Sequence, residues 1–207
     1  MPDKLTRETI VATAFDLLDD EGIDGLTVRA LAARLGVKAP ALYWHVPSKQ
    51  ALLDEMGTEV SRRIAERALA GPFDASFAAA LRRYATVARE EYLAHRDGAR
   101  TFSGTRLVDP SVLRRQEAAL AHWTGEGVPL RQIVDSFEAL AAFVVGFVIE
   151  EQERADAARY SLADRDRAVG DDHPLTVQAG HLTYRPAAER FAAHLDVIVP
   201  ALARVPD

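Results

Sequence analysis

Residues 26–50, LTVRALAARLGVKAPALYWHVPSKQ, decide how the chain is read. Val28, Leu31, Ala32 and Leu35 recur at the spacing of one helix face, and Thr27 stands where an N-cap side chain accepts a free amide. Gly36 follows; without a Cβ it takes a positive φ freely and can end a helix sharply. Pro40 opens a second pattern, because its fixed φ and missing N–H suit a first helical turn, and Leu42, Tyr43 and Val46 carry it to Pro47-Ser48. Two short helices joined by a short glycine-containing turn form the helix-turn-helix unit, whose second helix fits a DNA major groove. The plainer reading of the same pattern is a helical hairpin from any α-domain.

Charge supports the first reading. Arg29, Arg34, Lys38 and Lys49 give this stretch a local charge of +4 with no acid, on a chain of net charge −6. Ahead of it, Asp3, Glu8, Asp16, Asp19, Asp20, Glu21 and Asp24 outweigh Lys4 and Arg7. A basic face on an acidic protein still neutralises phosphates, since counterion release follows the contacts made.

At 207 residues, 48% hydrophobic and 27% charged, the chain can bury a substantial core as a soluble globular protein. The absence of cysteine excludes disulfides, thiolate zinc sites and cysteine nucleophiles, and suits a reducing cytoplasm. Met1-Pro2-Asp3-Lys4 begins no signal peptide, as no apolar core follows. The longest apolar run, ALAAFVVGFVI at 139–149, is too short for a bilayer and reads as a buried helix. A cytoplasmic protein without a membrane partner is expected.

Outward from the centre, Thr6–Glu21 reads as a helix covering the back of the unit, with Ile10, Ala14, Leu17 and Leu18 inward and Gly22 and Gly25 breaking it. Ser48 caps a long helix to about Leu69, carrying Leu52, Leu53, Met56, Val60 and Ile64 on one side. Phe73–Ala94 is a helix striped by Phe77, Leu81, Tyr84 and Ala88, and the polar segment His95–Arg106 reads as a functional turn. Val112–Glu126 is one further helix. Pro129–Glu153 is apolar on nearly all sides (Ile133, Val134, Phe137, Leu140, Val144, Phe147, Val148), more than this chain can cover. Residues 155–185 lose periodicity and read as a long mobile connection with one short helix, before Pro186–Ala203 with Phe191, Leu195, Ile198 and Leu202.

LTVRALAARLGVKAPALYWHVPSK resembles the DNA-binding segment of the tetracycline-repressor (TetR) family of transcription regulators, most specifically in Leu42-Tyr43-Trp44-His45-Val46 with Lys49. The resemblance implies that Arg29, Lys38, Ala41, Tyr43 and His45 face the major groove, that Thr27, Tyr43 and Lys49 reach phosphates, and that Pro40 belongs to the same surface. Trp44, flanked by those polar neighbours, is expected in the core of the small domain. The likeness extends further: His95-Arg96-Asp97-Gly98-Ala99, Gly104-Thr105-Arg106 and Ile149–Glu153 are similar to the regulatory domain of the tetracycline-binding subgroup. That subgroup binds a magnesium–tetracycline chelate, and its short helix after His-Arg-Asp-Gly moves on binding.

Carried over residue by residue, Thr105 and the partner subunit's Glu150 match drug-contacting positions. Phe102 falls where the subgroup has a metal-coordinating histidine, and Tyr84 and Ala88 where it has an amide and an aromatic ring. Ala65 replaces a second histidine, and Ala118 or Ala119 replaces a further amide. Phenylalanine offers a metal no lone pair. The expected ligand is therefore a mostly apolar, uncharged or weakly charged organic inducer other than tetracycline, needing no metal and no cofactor. Its expected lining is Tyr84, Ala88, Phe102, Thr105, Phe137 and Glu150.

The expected architecture is all-α: a three-helix DNA-binding domain over 1–50 and a helical ligand-binding and dimerisation domain over 51–207. Homodimerisation is expected through helices 129–153 and 186–203, on a pseudo-palindromic operator. The expected function is a ligand-responsive repressor, with a helix-turn-helix dimer lacking small-molecule control as the alternative. Phe77, Tyr84, Phe102 and Phe137 must converge on one space for the first. An enzyme is not expected: His95 with Asp97, Ser103 with Thr105, and Glu150, Glu151 and Glu153 lack a Gly-x-Ser-x-Gly or comparable element.

Overall fold

The computed structural model describes residues 5–154 and 161–204, which form twelve helices and no strand. α1 spans Arg7–Gly25, opened by Thr6, whose side chain accepts from the Thr9 amide at 3.2 Å. Gly22 does not end it as the sequence suggests; it kinks it, at φ 72° and ψ 179°, and the helix resumes to Gly25. α2 is Val28–Arg34, capped by Thr27 on the Ala30 amide at 3.1 Å. At Gly36, φ is 67°, with Val37 N–H on the Ala32 carbonyl and Gly36 N–H on that of Ala33. That pair of bonds is the Schellman closure, and it turns the chain into α3, Ala39–Tyr43. Ser48 caps α4, Lys49–Ala68, a twenty-residue rod.

Ile10, Leu18, Leu26, Leu31, Leu42 and Leu52 are fully buried between α1, α2, α3 and the start of α4. Each such side chain contributes about 2 kcal/mol, enough to hold helices of seven and five residues that would not persist alone.

The remaining helices are α5 (Phe77–Leu93), α6 (Gly98–Phe102), α7 (Pro110–Arg114), α8 (Glu117–Gly125), α9 (Leu130–Glu153), α10 (Leu162–Val169), α11 (Pro174–Thr183) and α12 (Ala187–Leu202). α5 lies at the centre, packed on α4, α9 and α12, with Leu81 and Ala85 of α5 and Ile133, Leu140 and Val144 of α9 all buried. The expected functional turn at 95–106 contains α6. The single helix expected at 112–126 is two, interrupted at Arg115-Gln116.

Residues 155–160 lie outside the described residues, but 161–185 is not the expected irregular connection. It holds α10 and α11, started by Ser161 on the Asp164 amide and by Pro174 in a first turn, and joined by His181 on Asp166 at 2.7 Å.

α9 is not covered on all sides within one chain either: Leu130, Ala139, Ala142 and Gly146 face out, as does Val197 on α12. As a whole helix α9 is long and apolar enough by composition to cross a membrane, which the eleven-residue run is not; a core helix of a soluble protein passes the same test.

Candidate nucleic-acid interface and regulatory cavity

Leu42 and Val46 turn the inner face of α3 into the core, so the other face presents Pro40, Ala41, Tyr43 and His45 to solvent. Trp44 joins them. It is 90% exposed, which corrects its expected place in the core: two residues from Leu42 is about 200° around a helix.

Arg29 at the start of α2 and Lys38 before α3 are exposed, with no ion-pair partner among the described residues. The other two cations of the +4 stretch are engaged. Arg34 pairs with Asp20 of α1, and Lys49 donates from Nζ to the Ile23 carbonyl at 2.6 Å. Lys49 therefore ties α4 to the end of α1, a role its expected phosphate contact did not include. Thr27 is exposed while its hydroxyl oxygen serves the cap of α2.

The loop between α5 and α6 clasps the same end of α1. The Arg96 amide donates to Asp19 at 3.0 Å, the Arg96 guanidinium to the Asp20 carbonyl at 3.0 Å, and the Ile23 amide to Asp97 at 3.2 Å. Asp97 holds a left-handed φ of 55° to make that contact. His95 Nδ1 lies 3.0 Å from Asp19, its ring stacks on Phe15 at 4.3 Å, and its carbonyl accepts from Gln152 of α9 at 2.9 Å.

Beyond α6 the chain lies along α4. Thr105 presses on Gly57, where a Cβ would come within 2.0 Å of its Oγ1. The Arg106 amide donates to Asp54 at 3.1 Å and the Val108 amide to Thr58 at 3.0 Å. Buried Asp54 and Thr58, polar residues on an otherwise apolar stripe, escaped the sequence reading.

A cavity of about 450 Å³ opens between α4, the 71–74 turn, α5, α7, α8 and α9. Its walls are mainly apolar, with Phe73, Tyr84, Tyr92, Trp123 and Phe137 as the aromatic members. Tyr84 meets Phe137 edge-on at 5.2 Å, with Phe77 behind them 5.6 Å from Trp123 and 6.1 Å from Phe137. Phe73 stacks on His122 at 4.0 Å, pinning the 71–74 turn at the mouth.

Ala65 and Ala119 line the space, so of the two alanines allowed by the sequence it is Ala119 that faces it. Burial, and for Tyr84 the neighbouring Tyr92 as a smaller cause, pushes both phenols above their ordinary pKa. They stay neutral hydrogen-bond donors at physiological pH. Arg83 also lines the cavity, but its Nη2 serves the Arg67 and Ala70 carbonyls at the end of α4, and its Nη1 lies 3.9 Å from Asp74.

Of the expected lining, Tyr84 and Phe137 are in the cavity and four residues are not; of the four rings expected to converge on one space, Tyr84 and Phe137 do so, Phe77 packs behind them and Phe102 does not join them. Phe102 is buried in an edge contact with Phe15 at 5.7 Å and His95 at 6.1 Å, where α6 meets α1. Ala88 is buried off the cavity, and Thr105 donates its hydroxyl to the Phe102 carbonyl at 2.9 Å. Glu150 pairs with Arg154 at 3.0 Å on the outside of α9, away from the same chain's cavity.

The residues present do not fit a magnesium chelate where the resemblance would put one. A phenylalanine packed into the α1 contact stands at the ligating position, and no group of three His, Cys, Asp or Glu converges among the described residues. Sequence reasoning missed Tyr92, Trp123, Phe73 and Ser61 as lining; each sits in a stripe that local periodicity assigns only to the core.

A helix-turn-helix unit joined through one long helix to a helical domain with an apolar cavity is the architecture of a DNA-binding regulator that senses small molecules. Residues 10–56 match the family model "Bacterial regulatory proteins, tetR family", and 72–205 match "Tetracyclin repressor-like, C-terminal domain". The chain belongs to the TetR family: it is a DNA-binding transcriptional repressor with a ligand-binding C-terminal domain, and not an enzyme.

It is 37% identical over 171 residues to the class D tetracycline repressor protein of Escherichia coli, covering 83% of this chain and 76% of that protein. An HTH-type transcriptional regulator of Saccharopolyspora erythraea is 31% identical over 175 residues, covering 82% and 72%. Among solved structures, a possible TetR-family regulator from Streptomyces coelicolor A3(2) superposes with TM-score 0.81 at 29% identity, covering 95% and 98%. ActR of Streptomyces coelicolor in complex with actinorhodin gives 0.79 at 26%, covering 96% and 97%.

Proposed function

We propose that the protein is a homodimeric cytoplasmic repressor that holds a pseudo-palindromic operator and releases it when a small organic molecule other than tetracycline occupies the α4–α9 cavity. One observation carries this reading: α4 is at once a wall of the cavity and the rod that leaves the helix-turn-helix unit. A ligand that displaces this wall also displaces the DNA unit, and the shift in operator affinity equals its differential affinity for the two forms.

In this reading residues 1–50 bind DNA and 51–207 bind ligand and the partner subunit. Arg29, Lys38, Pro40, Ala41, Tyr43 and His45 face the major groove, with Trp44 added, and Thr27, Tyr43 and Lys49 lie near phosphates. The outward faces of α9 and α12 form the two-fold interface; they carry exposed apolar side chains, Leu130 and Val197 among them, and large exposed apolar patches mark interaction sites. Related structures hold small organic molecules: ActR with actinorhodin, and a TetR variant of Acinetobacter baumannii AYE with minocycline.

The test selects bound duplexes from a random pool, then adds compounds that raise the melting temperature. Half-sites about 34–36 Å apart or a multiple of that, with affinity lost on adding a stabilising compound, are expected. Stabilising compounds that leave operator affinity unchanged refute ligand control, and unpaired recognition sites refute the two-fold dimer.

A further inference from the structure

The charge at the cavity is as informative as its walls. Arg83 is the one cation among the lining residues, and it is committed: it closes the last carbonyls of α4 and faces Asp74. Glu138, on α9 beside Phe137, also lines the cavity and has no ion-pair or hydrogen-bond partner among the described residues. The balance is two carboxylates against one engaged guanidinium, bordering a space walled by Tyr84, Tyr92, Trp123 and Phe137. Aromatic faces attract cations through their quadrupole, most strongly where water is excluded. The phenols and the Ser61 hydroxyl supply oxygen acceptors, whereas an anionic ligand finds no uncommitted cation and meets Glu138 and Asp74 instead.

We propose that the inducer is a flat aromatic molecule bearing a basic nitrogen, positively charged at neutral pH, with its ring between Tyr84, Trp123 and Phe137 and its cationic end toward Glu138. This rests on the ligand-control reading above and names the chemical class that the cavity selects. It departs from the expectation of an uncharged or weakly charged compound and keeps that of a mostly apolar one. Selection against carboxylate, sulfonate and phosphate compounds follows from the same two acids.

The experiment uses a charge series on one ring system: 9-aminoacridine, a cation at neutral pH; acridine, neutral; and acridine-9-carboxylate, an anion. The chain has two tryptophans, so in the full-length Trp44→Phe variant Trp123 in the cavity wall is the sole indole reporter. Quenching of Trp123 is titrated with each compound. 9-Aminoacridine is expected to bind at least fivefold tighter than acridine and at least tenfold tighter than the carboxylate.

Glu138→Gln, a substitution at an exposed position, should keep the melting temperature and bring cation and neutral compound within about twofold. Equal affinities, a preference for the neutral or anionic member, or a cation preference untouched by Glu138→Gln overturns the proposal. Binding of none of the three also overturns it. A neutral or anionic compound that binds and releases operator leaves ligand control standing. A broad thermal-shift screen with no stabilising compound brings both readings down together.

Discussion

Replacing Gly22 by alanine should loosen the clasp between the DNA unit and the regulatory domain by an amount the geometry sets. Gly22 sits at φ 72°, ψ 179°, a region essentially closed to side-chain-bearing residues, so alanine there costs about 1–3 kcal/mol. The new Cβ would also stand 3.1 Å from Asp97 Oδ2 and 3.2 Å from Arg96 Nε, closer than an ordinary contact. Those two side chains carry the bonds to the Ile23 amide and the Asp20 carbonyl, each worth about 1 kcal/mol. A total loss of roughly 2–4 kcal/mol lowers the melting temperature of a chain this size by about 5–15 °C.

Calorimetry measures it. Gly127→Ala, at φ 87° with nothing within 4 Å of the new Cβ, serves as the control for strain without a clash. In an Asp97→Ala background the Gly22→Ala loss should shrink by at least about 0.5 kcal/mol, because one clashing group is gone. A melting temperature within roughly 1 °C of the parent, or strict additivity in the double variant, refutes the clasp as drawn.

Trp44→Ala should leave stability within about 0.5 kcal/mol while operator affinity falls; a lower melting temperature with unchanged affinity would return Trp44 to the core. Arg29→Ala should relax sequence preference by about 1–3 kcal/mol, read by anisotropy on matched and scrambled duplexes, and equal losses on both refute a base contact. Val197→Glu should give folded monomers in sedimentation, since Val197 is 74% exposed, whereas Phe147→Glu buries a charge within one chain and should unfold it. On acidification, Glu59 sets one limit. Its hydrogen bonds from Arg62 first, then Arg63, hold the carboxyl below its ordinary 4.5. Its stabilisation is therefore complete above that value and lost as pH falls through the lowered one, and Glu59→Gln should flatten that part of the acid melting curve.

The local signals were legible. Thr27, Gly36, Pro40 and Ser48 each act within four residues of themselves, so their caps and turns follow from short sequence. Trp44 is legible too, because about 200° around the helix separates it from buried Leu42 and sets it on the solvent face, whatever its neighbours. Phe102 was not, because its neighbour Phe15 lies far away in the chain and the contact exists only once α6 is laid against α1. α10 and α11 escaped for a different reason: α10 buries no residue, and the pair is joined largely by polar contacts, which leave no apolar period to read. Of the cavity, the wall built by Tyr84 and Phe137 was visible in helical spacing. Trp123, Tyr92 and the commitment of Arg83 depend on how four helices converge.

Arg83 has a mechanical meaning as well. By holding the Arg67 and Ala70 carbonyls it bolts the far end of α4 to α5, while the near end carries the DNA unit. Twenty residues at 1.5 Å each make a lever of about 30 Å. A tilt of roughly 5° about the bolted end moves the Lys49 end by about 2.6 Å, and in the proposed dimer two subunits tilting oppositely would change the spacing of their recognition helices by about 5 Å, a large fraction of the ~12 Å groove they would enter. A movement of about 1 Å where a ligand meets Ser61, roughly 10 Å from the bolted end, would therefore be felt at the operator of the proposed dimer as a misfit of nearly half a groove.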